Sequence, residues 1–282
     1  MTPEVFFLLA LAVYALGAAL ALGGLRWEPL RRGPGQHLAT GLGVLLQTFG
    51  IGLHCARSET HFFTSKFESV WLLAWTLGLA YLALLLCWNM RALGSLVLPL
   101  IVALLVAARL YTEPGLPPAA LAARHPLFAV HILSAFFGYG LFLTACAASV
   151  LYLEEHRLLK RKLFGFLLQG LPSLEKLERT ATLCAWAGLL IFTVAVGTGA
   201  TMAKRTGQAH WYLEPFVLST QTTWLVFLVL VVGRATGRLA GRAAAKVVLV
   251  GAGLVLVSFL IGHPFRETGS TPVRALVVEE RP

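Results

Sequence analysis

His125–Glu155 reads HPLFAVHILSAFFGYGLFLTACAASVLYLEE. Its apolar run of about 25 residues is long enough, as a helix, to cross a bilayer. One imidazole, His131, stands near the start of the run. On a helix, Ala135, Gly138 and Phe142 follow it at one-turn steps down the same face. That spacing predicts a strip of small side chains beneath a potential metal ligand, with Phe128, Phe136, Phe137 and Tyr139 beside it. A flat ligand fits such a strip. The other apolar runs of the chain read best as walls around it.

Composition supports the same class. Hydrophobic residues make up 57% of the chain and charged ones 13%, with a mean hydropathy of +0.76. A soluble chain of 282 residues needs far more polar surface, so a polytopic membrane protein is expected. The net charge of +10 does not point to nucleic acid, because the cations are scattered over the loops between apolar runs. All 13 acidic residues are Glu. Cys55, Cys87, Cys146 and Cys184 fall in or at the edge of apolar runs without a CxxC pair, which excludes a redox motif and favours small apolar filler. The first run lacks a basic leader and an A-x-A site, so it reads as a permanent span.

Eight runs can be marked, at roughly 4–24, 36–55, 68–88, 92–110, 127–152, 181–202, 215–233 and 244–262, each matching a hydrocarbon core of about 30 Å at 1.5 Å per residue. In lipid only a helix satisfies the backbone of such runs. The expected fold is all-α, a single integral membrane domain over residues 1–282 with eight transmembrane helices. An even number of spans puts both termini on one side. Most of the 23 Lys and Arg lie in one set of loops, among them Arg26, Arg31, Arg91, Arg157, Lys160, Arg161, Lys162, Arg234 and Arg242. That set is assigned to the cytoplasm and both termini to the outer side. The longest such loop, HRLLKRKLFGFLLQGLPSLEKLER, suits a segment lying on an anionic surface, restarting as a helix with Ser173 as N-cap and Glu175 favouring the dipole. The tail from Glu267 reads as a loose end, with RALVVEE able to pair as a short strand.

In this topology His37 and His156 lie on the cytoplasmic side, whereas His54, His61, His125, His131, His210 and His263 lie at outer ends or in outer loops. His54 ends span two, His131 begins span five, His210 precedes span seven and His263 ends span eight. A lone interfacial His is ordinarily an anchor, and His61 and His125 are read so. His131 differs because it opens an apolar helix with no carboxylate near it in sequence, where an ionisable group is costly. A structural zinc site would need four Cys or His ligands at suitable spacing, and a proton relay would need acids at mid-membrane. Haem needs axial His, an aromatic-walled apolar box and cations for its propionates. Arg57, Arg109, Arg124, Lys204 and Arg205 fall on the outer side and supply candidates for the last. Trp211 and Tyr212 in KRTGQAHWYLEPF read first as belt aromatics, and Glu214-Pro215 as a helix start with Pro in the first turn. A lipid or quinone in the same groove stays open.

From about Phe62 to His263 these residues resemble the cytochrome c assembly (CcsA-type) haem-handling membrane proteins, nearest their HemX/YpjD-like branch. HFFTSKFESVWLLAW looks like the family's loop-to-helix entry with its Tyr/Phe-Glu-Ser signature. VHILSAFFGYGLFLTACAASVLYLEE resembles the span bearing its outer haem-ligating histidine, which falls on His131. LPSLEKLER and GRLAGRAAAK resemble the entry to span six and the basic turn that follows span seven. The family's tryptophan-rich loop ends W-x-W-D-P-K-E. Here Trp211 matches its first tryptophan, Leu213 replaces the second, Glu214-Pro215 stands for Asp-Pro, and Phe216-Val217 replaces Lys-Glu. A histidine late in span seven is replaced near Val232, and one within span two by Gln47, with His54 two turns further on.

The resemblance implies a multi-pass protein of a bacterial-type inner (plasma) membrane that holds, transfers or senses haem b in cytochrome c assembly or haem biosynthesis. It implies His131 as the principal iron ligand, His54 ahead of His263 as the second, and His210, Trp211, Arg57 and Arg124 near the cofactor. The altered loop weighs against catalysis, and no catalytic residue is assigned. Two other functions stay open: a haem lyase subunit acting on an apocytochrome with a second assembly subunit, and a cofactor-free regulator of glutamyl-tRNA reductase acting through the basic cytoplasmic loop.

Overall fold

The computed structural model describes residues 2–57, 65–111, 126–162, 171–205 and 210–261. Its helices are α1 (Pro3–Gly23), the short α2 (Glu28–Arg32), α3 (Gly35–Arg57), α4 (Lys66–Trp88), α5 (Gly94–Leu110), α6 (Pro126–Lys160), α7 (Leu174–Arg205), α8 (Pro215–Ala235) and α9 (Gly241–Ile261). One-turn 3-10 segments sit at Arg91–Leu93 and Trp211–Leu213. Eight of these helical stretches are long and apolar enough to cross a membrane. The chain is an all-α, multi-pass membrane protein. The expected RALVVEE strand lies outside the described residues.

Local chemistry sets the helix starts. Ser65 and Glu68 form a reciprocal capping box at α4, each side chain bonded to the other's backbone N–H. Ser173 Oγ accepts from Lys176 N at 3.4 Å, which caps α7 as expected. Pro215 occupies the first turn of α8, where its missing N–H has no helical partner to lose. α6 runs on to Lys160, beyond the expected end of its span near Tyr152, because LEEHRLLK continues the helix with good formers.

The helices fall into two groups. α1, α3, α4 and α5 pack together, and α6 to α9 form the second group, with α6 and α7 the most intimate pair. The groups meet mainly along α4 and α6. There Thr76 Oγ1 lies 3.0 Å from the Phe136 carbonyl, a cross-helix hydrogen bond in the buried seam. Between apolar helices in lipid, such bonds and close van der Waals contact hold the bundle together. In the first group the centre is filled: Tyr14 is fully buried and its O–H donates to Gln47 Oε1 at 3.2 Å. In the second, Phe142 stacks on Phe227 with ring centroids 3.6 Å apart, and Phe192 packs on Gly138, where an added Cβ would lie 2.8 Å from its own.

At the end of the bundle that the charge bias assigns to the cytoplasm, Glu178 of LPSLEKLER accepts from the Arg234 guanidinium and from Gly241 N at 2.9 Å. One carboxylate therefore ties the start of α7 to the end of α8 and the start of α9. The opposite end carries the cavity.

Candidate functional site: a cavity beside His131

The starts of α4, α6 and α8 and the far parts of α7 and α9 do not close on one another. They leave a cavity of about 360 Å³ with a mainly apolar lining. This volume falls in the range of small-molecule sites, about 300–1,000 Å³. Phe128, Phe136, Phe192, Trp211 and Phe216 give it aromatic walls, and Ala135, Ala195, Gly199 and Ala200 give it smooth ones.

His131 stands in this wall. Its Nδ1 lies 2.8 Å from the Ala195 carbonyl on α7, and Thr198 Oγ1 lies 3.5 Å away. A carbonyl can only accept, so Nδ1 carries the proton of the neutral ring and Nε2 keeps its lone pair. This is the tautomer of a metal-binding imidazole, with the second nitrogen held by a carbonyl. Gly199 makes the arrangement possible: a Cβ there would lie 2.7 Å from His131 Cε1. The sequence TGATMAK offers its small residue where the ring must pass, one turn along α7 from Ala195.

The other expected residues are placed as follows. Trp211 lines the cavity with His131. His54, at the last turn of α3, does not line it; its Nε2 is 2.5 Å from Glu68 Oε1, and its ring meets Trp71 edge-on at 6.0 Å. His210 is exposed, with Nδ1 3.2 Å from the Tyr212 hydroxyl. Arg57 is exposed at the end of α3 and is not among the lining residues. Arg109 lies 3.5 Å from Glu4 and over the Phe7 ring, away from the cavity. Arg124, His263, His61 and His125 lie outside the described residues. The strip below His131 divides. Ala135 borders the cavity, whereas Phe192 covers Gly138 and Phe142 belongs to the core.

Several contributors were not read from the sequence. Lys66, Tyr111, Phe192, Gly199 and Glu214 reach the cavity from four different elements, so only the tertiary fold brings them together. The partnership of Glu68 did leave a trace, the Ser65-Lys66-Phe67-Glu68 spacing of a capping box. Ser69 of the FES signature also lines the cavity, and its Oγ donates to the Ser65 carbonyl at 2.9 Å. The FES segment thus caps α4, fastens α3 through His54 and shapes the cavity wall.

Known proteins point the same way. The family model described as Cytochrome C assembly protein matches residues 64–264, more than half of the chain. Protein HemX of Brevibacillus brevis is 28% identical over 101 residues, covering 36% of this chain and 37% of that protein. The match thus spans little more than a third of the curated relative. No solved structure matches. With the cavity and its imidazole lying inside the matched region, the chain belongs to the cytochrome c assembly protein family.

Proposed function

We propose that the protein holds haem b in the cavity beside His131 and passes it on, or reports its presence, in cytochrome c assembly or haem biosynthesis. Family membership connects the chain to cytochrome c biogenesis and so to haem. The single observation that carries the finer reading is His131 itself, with its proton directed to Ala195 and its other nitrogen left basic in the wall of an aromatic cavity. Bound there, haem would supply an iron that takes a nitrogen ligand, which His131 would provide. His131 holds that nitrogen in place, Ala195 fixes the ring's tautomer and orientation, and Phe128, Phe136, Phe192 and Trp211 exclude water from the macrocycle. His54, bonded to Glu68, acts in this reading as a fastening between α3 and α4. The cavity end faces the outer side of a bacterial-type inner membrane, following the loop charges.

The test is an absorption spectrum of the detergent-purified protein, oxidised and reduced. The wild type gives a haem b spectrum with a histidine-ligated iron. His131→Ala loses the bound pigment or shifts it to a high-spin form that added imidazole restores. A wild-type spectrum in the variant removes the ligand assignment.

A second reading, a haem lyase subunit working with an apocytochrome and a second assembly subunit, is favoured by one placement. Trp211, which aligns with the family's tryptophan-rich loop, shares the cavity with His131. Expression in a strain lacking its own cytochrome c assembly system separates the two, since a haem carrier alone yields no covalent holocytochrome.

A further inference from the structure

Polar side chains on a membrane helix need partners, because the hydrocarbon around the bundle supplies none. The run Ser219–Trp224 of α8, STQTTW, meets that need at every position except one. Thr220, Thr222 and Thr223 each donate to the carbonyl one turn back, on Phe216, Leu218 and Ser219. Ser219 Oγ lies 2.8 Å from Ser258 Oγ on α9, and Trp224 Nε1 donates to Thr193 Oγ1 on α7 at 2.9 Å. The exception is Gln221, whose side-chain amide has no hydrogen bond among the described residues.

The other glutamines of the described helices are held in the first group. Gln36 Nε2 donates to the Tyr81 hydroxyl and to the Arg91 carbonyl, and Gln47 Oε1 accepts from Tyr14. Gln221 stands instead in the wall of the cavity, half-buried, with Val217 and Thr220 of the same helix. It lies about 9 Å along the axis from Pro215, within the span and not in the loop before it. The hydroxyls of Ser69, Thr220 and Ser258 in that wall are already engaged, with the Ser65, Phe216 and Leu254 carbonyls. An amide without a partner in the wall of such a cavity is placed to bond what fills it.

We propose that Gln221 recognises the occupant of the cavity, its amide N–H donating to an acid oxygen of the bound ring. This rests on the haem-holding reading. Haem carries oxygen only in its two propionates, so a wall amide that bonds the molecule through oxygen meets it there. The acceptor is charged, which makes the bond a strong one. Gln221 on α8 and His131 on α6 thus hold different parts of one molecule, the acid edge and the iron.

The experiment titrates the detergent-purified full chain with two iron-free rings, protoporphyrin IX and etioporphyrin, which has alkyl groups only and no oxygen. Quenching of tryptophan fluorescence reports binding, and without iron His131 ligation plays no part. Gln221→Leu weakens protoporphyrin IX about tenfold, as the loss of a hydrogen bond to a charged group requires, and leaves etioporphyrin unchanged. Gln221→Glu, of the same size, repels the acid groups and weakens protoporphyrin IX further than Gln221→Leu does. Thr222→Val, one residue on and exposed, leaves both affinities as they were. The proposal is overturned if the wild type does not bind protoporphyrin IX, or if Gln221→Leu changes neither ring or weakens both equally. It is also overturned if Thr222→Val reproduces the effect of Gln221→Leu. Haem binding that needs His131, in a protein whose Gln221→Leu variant keeps the wild-type ratio of the two affinities, would sink the Gln221 assignment alone. A ratio that depends on Gln221, in a protein whose haem spectrum ignores His131→Ala, would sink the iron-ligand assignment alone.

Discussion

Two imidazoles stand near the same end of the bundle and have been given opposite partners. His131 turns a ring nitrogen to a backbone carbonyl on α7 and stands in the wall of a cavity. His54 turns Nε2 to a carboxylate that is already the cap of α4, amid Trp71 and other packed rings. A carbonyl partner fixes a tautomer while leaving the second nitrogen basic. A carboxylate partner holds the ring through a strong bond and converts it into a tether between helices. The same side chain borders a cavity in one case and joins α3 to α4 in the other. Position in the sequence, near the end of an apolar span, does not separate the two. The partner does.

The largest effect is expected where that difference is made, at Gly199. Valine there must push the His131 ring aside, because its Cβ alone would lie 2.7 Å from Cε1. Forcing extra atoms into a packed site costs about 1–3 kcal/mol. Displacing the ring to relieve the strain lowers haem affinity by about ten- to a hundredfold on the scale of 1.4 kcal/mol per decade. A pigment titration measures it. Gly197→Ala on the same helix meets nothing within 4 Å and should leave the titration as it was. Equal loss in both variants would show that α7 is disturbed as a whole, and the special position of His131 would fall.

The next effect belongs to the other imidazole. Glu68→Ala removes a helix cap and a charge-assisted bond together, about 2–3 kcal/mol of stability by the usual worth of each. His54→Ala removes only the second, about 1 kcal/mol, and leaves Glu68 to its cap. Because both act through one contact, the double variant should unfold no earlier than Glu68→Ala alone. Thermal unfolding in detergent gives the order. Both single variants should retain the haem spectrum. A spectrum changed by His54→Ala would make His54 a ligand after all and erase the contrast.

How much of this was legible in advance follows from which interactions are local. The eight spans were readable because lipid allows an apolar run of this length only one backbone solution. Ser173 and Pro215 were readable as helix starts because a cap is decided within one turn. His131 was conspicuous as a lone imidazole opening an apolar helix. Its partner was not, since Ala195 lies on another helix and offers a backbone atom, which no side chain announces. The pairing of His54 was hidden for a related reason. Glu68 announces itself as a cap residue, and only the approach of α3 to α4 gives its second oxygen a further partner. The strip below His131 was half right. Helical spacing puts Gly138 and Phe142 on one face with His131, but spacing cannot tell that Phe192 covers that face two turns down.

The smallest effect sharpens the comparison at the cavity itself. Trp211 is held in a single 3-10 turn between His210, whose backbone is left-handed at φ 65°, and Glu214, which opens α8. Its indole is half-buried and forms part of the cavity wall, while the neighbouring Tyr212 and Leu213 are exposed. An aromatic contact with a flat ligand is worth about 0.5–1.5 kcal/mol beyond its area. Trp211→Ala should therefore weaken haem binding only about three- to tenfold, mostly through faster release, whereas Trp211→Phe keeps most of it. Leu213→Trp restores a tryptophan at the second position of the family's loop without a place in the wall, and should leave haem affinity unchanged. A stopped-flow transfer of haem to apomyoglobin reads the release rate directly. If Trp211→Ala released haem as fast as His131→Ala, the loop rather than the imidazole would be the principal hold, and the balance between the two would be reversed.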